Sequence, residues 1–114
     1  MEDTIRVIQE QLIQIARRKG LTNYTEAGSW VGLDMSTDVG RILIAQILDK
    51  INTDEDSQGH PLLSALVIYK DKDISRPGPG FFQCARGLGR LTDDDEDGFW
   101  AKEVTAVHNW CYPH

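Results

Sequence analysis

His60, Ser64, Tyr69, Lys70 and Arg76 fall in one short stretch, and their types suit proton transfer or nucleophilic attack. For His60 to activate Ser64, the imidazole must come within hydrogen-bond reach of the hydroxyl. On an extended strand, residues four apart share a face but stand about 13 Å from each other, so the pair makes no nucleophile and base unit. The chain has no nucleophile elbow, P-loop or dinucleotide fingerprint.

Metal chemistry has two starting points. Asp93-x-Asp95-x-Asp97-Gly98 matches the opening half of a calcium loop, in which alternate carboxylates converge on a hard cation. The closing bidentate acid belongs at the twelfth position, which is Val104. Glu103 falls one residue short, turned by about 100° on a helix. His108-x-x-Cys111-x-x-His114, with Cys84 as a fourth ligand, offers a zinc-like set, but no paired CxxC or HExxH supports it. The expectation is no metal and no cofactor: the acidic run caps the last helix, and Cys84 and Cys111 are small core residues.

Eighteen acids against twelve bases give the 114-residue chain a net charge of −6, and both halves are negative. Acids cluster as Asp54-Glu55-Asp56 and as Asp93-Asp94-Asp95-Glu96-Asp97. Each run has a plain reading as a solvated loop that maintains solubility, and a sharper one as a surface that meets a basic partner. The only basic run, Arg17-Arg18-Lys19, ends a helix, where positive charge complements the helix dipole.

The elements that must position these residues follow from apolar spacing. Ile5, Ile8, Leu12 and Ile15 recur at helical intervals from Thr4 to Lys19, with Gly20 as the stop. A short helix follows over Thr25 to Val31. Ser36 or Thr37 then caps a longer helix through Val39, Ile42, Leu43, Ile47 and Ile51. Asn52 to Pro61 reads as a loop and Leu62 to Lys70 as a buried strand, with Lys72 to Arg76 as a short hairpin partner. Pro77-Gly78-Pro79-Gly80 is a loop whose two prolines lack the N–H donors an anion site would use. A short helix from Phe81 to Arg86 and a terminal helix from Phe99 to Tyr112 complete the chain. The largely buried set is predicted to be Ile8, Leu12, Trp30, Ile42, Ile47, Leu63, Val67, Phe82, Trp100 and Val104.

The fold class is therefore α+β and mainly helical, with a short β-hairpin and a C-terminal helix. The length suits one domain over residues 1–114. No stretch approaches the roughly 20 apolar residues of a membrane helix. The acidic start differs from a signal peptide, and two cysteines are too few for a disulfide scaffold, so a cytoplasmic protein is expected.

The order of elements from Tyr24 to Gly89 resembles the winged-helix domain of alkyltransferase-like proteins. Tyr24-Thr25-Glu26-Ala27 matches the family's Tyr-started short helix, Asp38-Val39-Gly40-Arg41 its Arg-bearing helix, and Pro77 to Gly80 its glycine wing. The resemblance implies a winged-helix-like core over 24–89 flanked by helices at 1–20 and 99–112. The alkyl-accepting Pro-Cys-His-Arg signature is replaced by Ser64-Ala65-Leu66-Val67, so the resemblance carries fold and not chemistry. Gly59-His60-Pro61-Leu62-Leu63-Ser64-Ala65 with Pro77-Gly78-Pro79-Gly80-Phe81-Phe82 also resembles a motif of bacterial proteins to which no activity attaches.

These features lead to the expectation of a non-enzymatic acidic protein that inhibits or neutralises a basic partner, such as a toxin or nuclease. Immunity proteins, antitoxins and anti-restriction factors work in this way. Its contact residues would be Asp93, Asp94, Asp95, Glu96 and Asp97, with Asp54, Glu55 and Asp56. The alternative is a winged-helix nucleic-acid regulator using Arg41, Lys50 and Arg76. On the candidate recognition helix, however, Asp38 and Asp49 offset Arg41 and Lys50, so nucleic-acid binding is expected to be weak or absent. A small enzyme without a visible motif is the third reading.

Overall fold

A computed structural model describes residues 2–69 and 75–110. Helix α1 spans Glu2–Arg17, with Glu2 and Asp3 at its positive end and Arg17 at its negative end. Its stripe points inward as the spacing predicts, and Ile8 and Leu12 are fully buried. Lys19, rather than Gly20, takes the left-handed conformation after the helix, with φ 56°. The Gly20 N–H then closes on the Ile15 carbonyl at 3.0 Å.

Strand β1 is only Thr22–Asn23, and α2 follows at once over Tyr24–Ser29. The Asn23 side chain caps α2 by accepting from the Glu26 N–H at 2.8 Å. In the link to the next helix, Asp34 accepts from both the N–H and the hydroxyl of Ser36, which holds its carboxyl below the usual carboxylate range. Helix α3, Asp38–Ser57, is capped by Thr37, whose hydroxyl oxygen accepts from the Gly40 N–H at 3.0 Å.

Helix α3 corrects two expectations. It runs to Ser57, through what composition suggested was a loop. Asn52 and Glu55 continue the buried stripe of Ile44, Ile47, Leu48 and Ile51. Ile42 is not core: at two residues from Ile44 it is turned about 200° away, and it is 57 % exposed.

The run Leu62 to Tyr69 also differs from the predicted strand. Leu63–Leu66 form a 3₁₀ turn, and only Val67–Ile68 make a strand, β2. Its partner is β1, paired in parallel, with Thr22 opposite Val67 and Asn23 opposite Ile68. The hairpin strand expected over Lys72 to Arg76 lies largely outside the described residues, and the Tyr69 N–H donates to the Arg76 carbonyl at 3.1 Å. Helix α4 is Pro79–Gly87 and α5 is Glu96–Asn109. The molecule is thus mainly helical with one small sheet and a C-terminal helix.

Two apolar clusters hold these elements. The larger joins α1, α3, the 3₁₀ turn, β2 and Val107 of α5. The second gathers Leu62, Ala65, Phe81, Phe82, Ala85 and Leu91 under α4 and α5. Trp30, Trp100 and Val104 are half-buried: Trp30 lies at the margin of the first cluster, Trp100 at that of the second, and Val104 packs against both. Trp100 still anchors α5 through its indole N–H, which donates to the Ala65 carbonyl at 2.9 Å.

Candidate functional site

Helices α2 and α3, the start of α4 and the residue after β2 enclose a cavity of about 300 Å³ that opens to solvent. Each wall has a local cause. The Asn23 cap fixes Tyr24 at the first position of α2, and pairing with β1 places Tyr69 just beyond β2. The two rings meet at 5.4 Å between centroids, tilted by 50°. Gly78 lies beneath them and donates its N–H to the Tyr24 hydroxyl at 2.8 Å. A Cβ at Gly78 would stand 2.9 Å from the Tyr69 hydroxyl and 3.2 Å from that of Tyr24, so a larger residue there would push the tyrosine hydroxyls aside.

Ile44, Ala45 and Leu48 of α3 form an apolar floor, with Arg41 at one end and Asp49 at the other. Eight helical residues separate these two by about 12 Å. Arg41 is held by Asp38 at 2.5 Å and by the Met35 carbonyl at 3.2 Å. Among the described residues, no Lys or Arg forms an ion pair with Asp49.

A chain of polar contacts sets the Asp49 carboxylate. Fully buried Asn52 accepts from the Ser64 N–H at 3.2 Å and donates to the Ser64 hydroxyl at 2.7 Å and the Cys84 sulfur at 3.9 Å. The Cys84 thiol lies near enough to Asp49 for each group to influence the other's titration. Partial burial pushes the Asp49 carboxyl pKa up, against the lowering influence of the thiol. Burial first, and Asp49 second, push the Cys84 thiol up as well, which makes it a donor and not a thiolate nucleophile. Burial likewise raises the Tyr24 hydroxyl, opposed by the Gly78 hydrogen bond and reinforced by Tyr69 and Asp49. Asp49 thus acts electrostatically on the tyrosine wall.

The residues singled out by sequence are placed elsewhere and are mostly committed to the fold. Asp54 pairs with Lys50 at 3.1 Å, and Asp56 with Arg90 at 2.6 Å. Glu55 is buried, accepting from Gln9 Nε2 at 2.8 Å and facing His60 Nδ1 at 2.6 Å. The first acidic run therefore belongs to α3, with its middle residue inside the protein and not on a solvated loop. Arg90 also donates to the His60 carbonyl, which fastens α4 to this corner. His60 and Ser64 engage different partners, Glu55 and Asn52.

In the second run, Asp95 caps α5 by accepting from the Gly98 N–H at 2.9 Å. Glu96 pairs with Arg76 at 3.1 Å and Arg86 at 3.7 Å, and Asp97 pairs with Arg76 at 3.2 Å. Asp93 and Asp94 stay exposed. Each of Arg41, Lys50 and Arg76 is thus ion-paired to an acid of this chain. Among the described residues, no group of three His, Cys, Asp or Glu could hold a metal. His108 Nε2 faces the Gly20 carbonyl at 2.9 Å, whereas Cys111, His114 and Lys70 lie outside the described residues. No helix among those residues is long and apolar enough to cross a membrane.

Sequence reasoning missed this cavity because its walls come from four separated segments. One signal was available: Asp49 sits one residue from core Leu48, on the same helical face as Arg41 and Ala45. Comparison with family models, with curated proteins and with solved structures gives no match, so the reading of the site rests on its geometry.

Proposed function

We propose that this chain is a non-enzymatic binding protein for a basic protein partner, of the kind that inhibits or neutralises it, as immunity proteins and antitoxins do. The observation that carries the reading is the exposed side of α3. Asp38, Ile42, Ala45 and Asp49 recur there at intervals of three and four, beside the cavity. Ile42 and Val39 leave apolar surface in water, at 57 % and 67 % exposure, and Asp49 brings a carboxylate that no Lys or Arg among the described residues pairs with. Apolar surface edged by acid suits a partner that offers apolar and basic groups together. Asp93 and Asp94 extend the negative field on another side and would speed encounter.

The self-paired state of Arg41, Lys50 and Arg76 weighs against the winged-helix nucleic-acid reading, since phosphate contacts would first have to break those pairs. A cytoplasmic setting forms part of the proposal. Its test is selection of random peptides on the immobilised protein. Enrichment of Lys- and Arg-containing sequences with apolar neighbours, weakened by Ile42→Asp, is the expected result. Enrichment of neutral or acidic peptides would overturn it. So would tight duplex DNA binding at physiological salt that is lost on Arg41→Ala.

A further inference from the structure

The geometry points to the cavity between Tyr24, Tyr69 and Asp49 as a socket for one lysine or arginine side chain of a protein partner. This inference rests on the basic-partner reading and names the group that anchors the partner. Three features of the site converge on that chemistry.

The first is the lining. Ala45, Leu48 and Phe81 offer apolar surface along which a three- or four-carbon stem can lie. The second is aromatic. Two tyrosine rings tilted by 50° at 5.4 Å form an open wedge, and the face of a tyrosine attracts a cation. The third is charge. Asp49 is the carboxylate of the cavity and has no ion-pair partner among the described residues, while Arg41 is turned into Asp38 and the Met35 carbonyl at the far end. The cavity therefore has a negative end that its own positive end does not compensate.

The competing occupants fit less well. An anion would meet the Asp49 carboxylate. The Gly78 N–H that could have served it already donates to the Tyr24 hydroxyl. A neutral apolar group would fill the floor but leave the carboxylate partly desolvated without compensation.

The test is an NMR titration of the full chain with lysine and arginine capped as N-acetyl N-methylamides, with the capped norleucine analogue as an uncharged probe. Both cationic probes should give saturable shifts at the Tyr24 and Tyr69 rings and the Ala45 methyl. Both should bind about five-fold or more tightly than norleucine. Asp49→Asn, which keeps the side-chain shape, should erase that preference. Tyr69→Ala, at a residue that is 42 % exposed, should weaken all cationic probes.

Equal binding of norleucine, or an unchanged preference in Asp49→Asn, would overturn the socket. Cationic probes that shift only the acidic loop would overturn it while leaving the basic-partner reading intact. Simple pentylammonium binding as tightly as capped lysine would assign the site to a free amine instead of a partner's side chain. If selected basic peptides bind the wild type and Asp49→Asn alike, the socket fails and the broader reading stands. If no basic peptide is selected at all, the broader reading fails.

Discussion

Glu55 Oε2 and His60 Nδ1 stand 2.6 Å apart across the end of α3, and the carboxylate is only 3 % exposed as a residue. Gln9 of α1 donates to the other carboxylate oxygen at 2.8 Å, so the contact ties α1, α3 and the following turn together. The His60 ring also meets that of Trp110, tilted by 44° with centroids 4.8 Å apart, which brings the end of α5 to the same point. Removing one member leaves buried polar atoms short of a partner, which costs about 1 to 3 kcal/mol. His60→Ala and Glu55→Ala are each expected to lower stability by that amount in urea unfolding. In a double-mutant cycle the two losses should not add, with a coupling above about 0.5 kcal/mol. Additive losses would mean that the two side chains do not depend on each other.

Asp49 gives the opposite sign. An acid whose pKa rises on folding holds its proton more tightly in the native state. The native state is then favoured most below the ordinary carboxylate pKa and loses ground as pH rises through the raised value. Asp49→Asn removes that loss and keeps the side-chain shape. The variant should match wild type near pH 3 and gain on it toward about pH 7. The gain should stay under about 1 kcal/mol, since the carboxylate keeps one side in water. A variant that is more stable yet binds cations less well would separate a functional carboxylate from a structural one. Thermal unfolding across that pH range checks the sign.

Gly40 sets two known magnitudes against each other. Alanine in a helix is favoured over glycine by about 1 kcal/mol. A Cβ there, however, would lie 2.1 Å from the carbonyl oxygen of Asp34. That carbonyl is fixed, because it accepts from both the N–H and the hydroxyl of Thr37. The obstruction is backbone, which cannot rotate aside, so overpacking should win and cost a net 1 to 3 kcal/mol, roughly, in chemical unfolding. The change should also shift the Arg41 end of the cavity, visible as altered Tyr24 and Ala45 resonances.

How far the sequence reveals this molecule depends on whether a residue's partner is close in the chain. The stripe Ile5, Ile8, Leu12 and Ile15 states its own geometry, and α1 follows it. The run Leu62 to Tyr69 carries no period. A short apolar run fits a strand or a buried turn equally well, and packing of Leu63 and Leu66 against α1, α3 and α5 selects the 3₁₀ turn. Asn52 and Glu55 look like loop residues because their hydrogen-bond partners, Ser64, Gln9 and His60, are visible only in three dimensions. The same limit hid the socket, whose tyrosines are separated in sequence by two helices and a turn. Asp95 behaves as expected of an acid before a helix, and it caps α5.

The acidic loop can now be divided into residues that hold the fold and residues free to act. Asp95 caps α5, so Asp95→Ala should cost about 1 kcal/mol of stability. Glu96→Gln should cost no more than about 1 kcal/mol per lost pair, because Arg76 and Arg86 are themselves well exposed. Asp94→Asn should leave the fold within about 0.5 kcal/mol, as surface substitutions usually do. Its effect should fall on association instead. With a basic peptide selected on the wild-type protein, Asp94→Asn is expected to slow binding and flatten its salt dependence while leaving dissociation unchanged. Asp49→Asn should do the reverse, speeding dissociation with little change in the encounter rate, because its contact forms only once the side chain is seated. Stopped-flow rates at two salt concentrations resolve the two patterns. Equal effects of both variants on the association rate would place Asp49 on the rim with Asp94, and unchanged rates for Asp94→Asn would leave the loop as the cap of α5 alone.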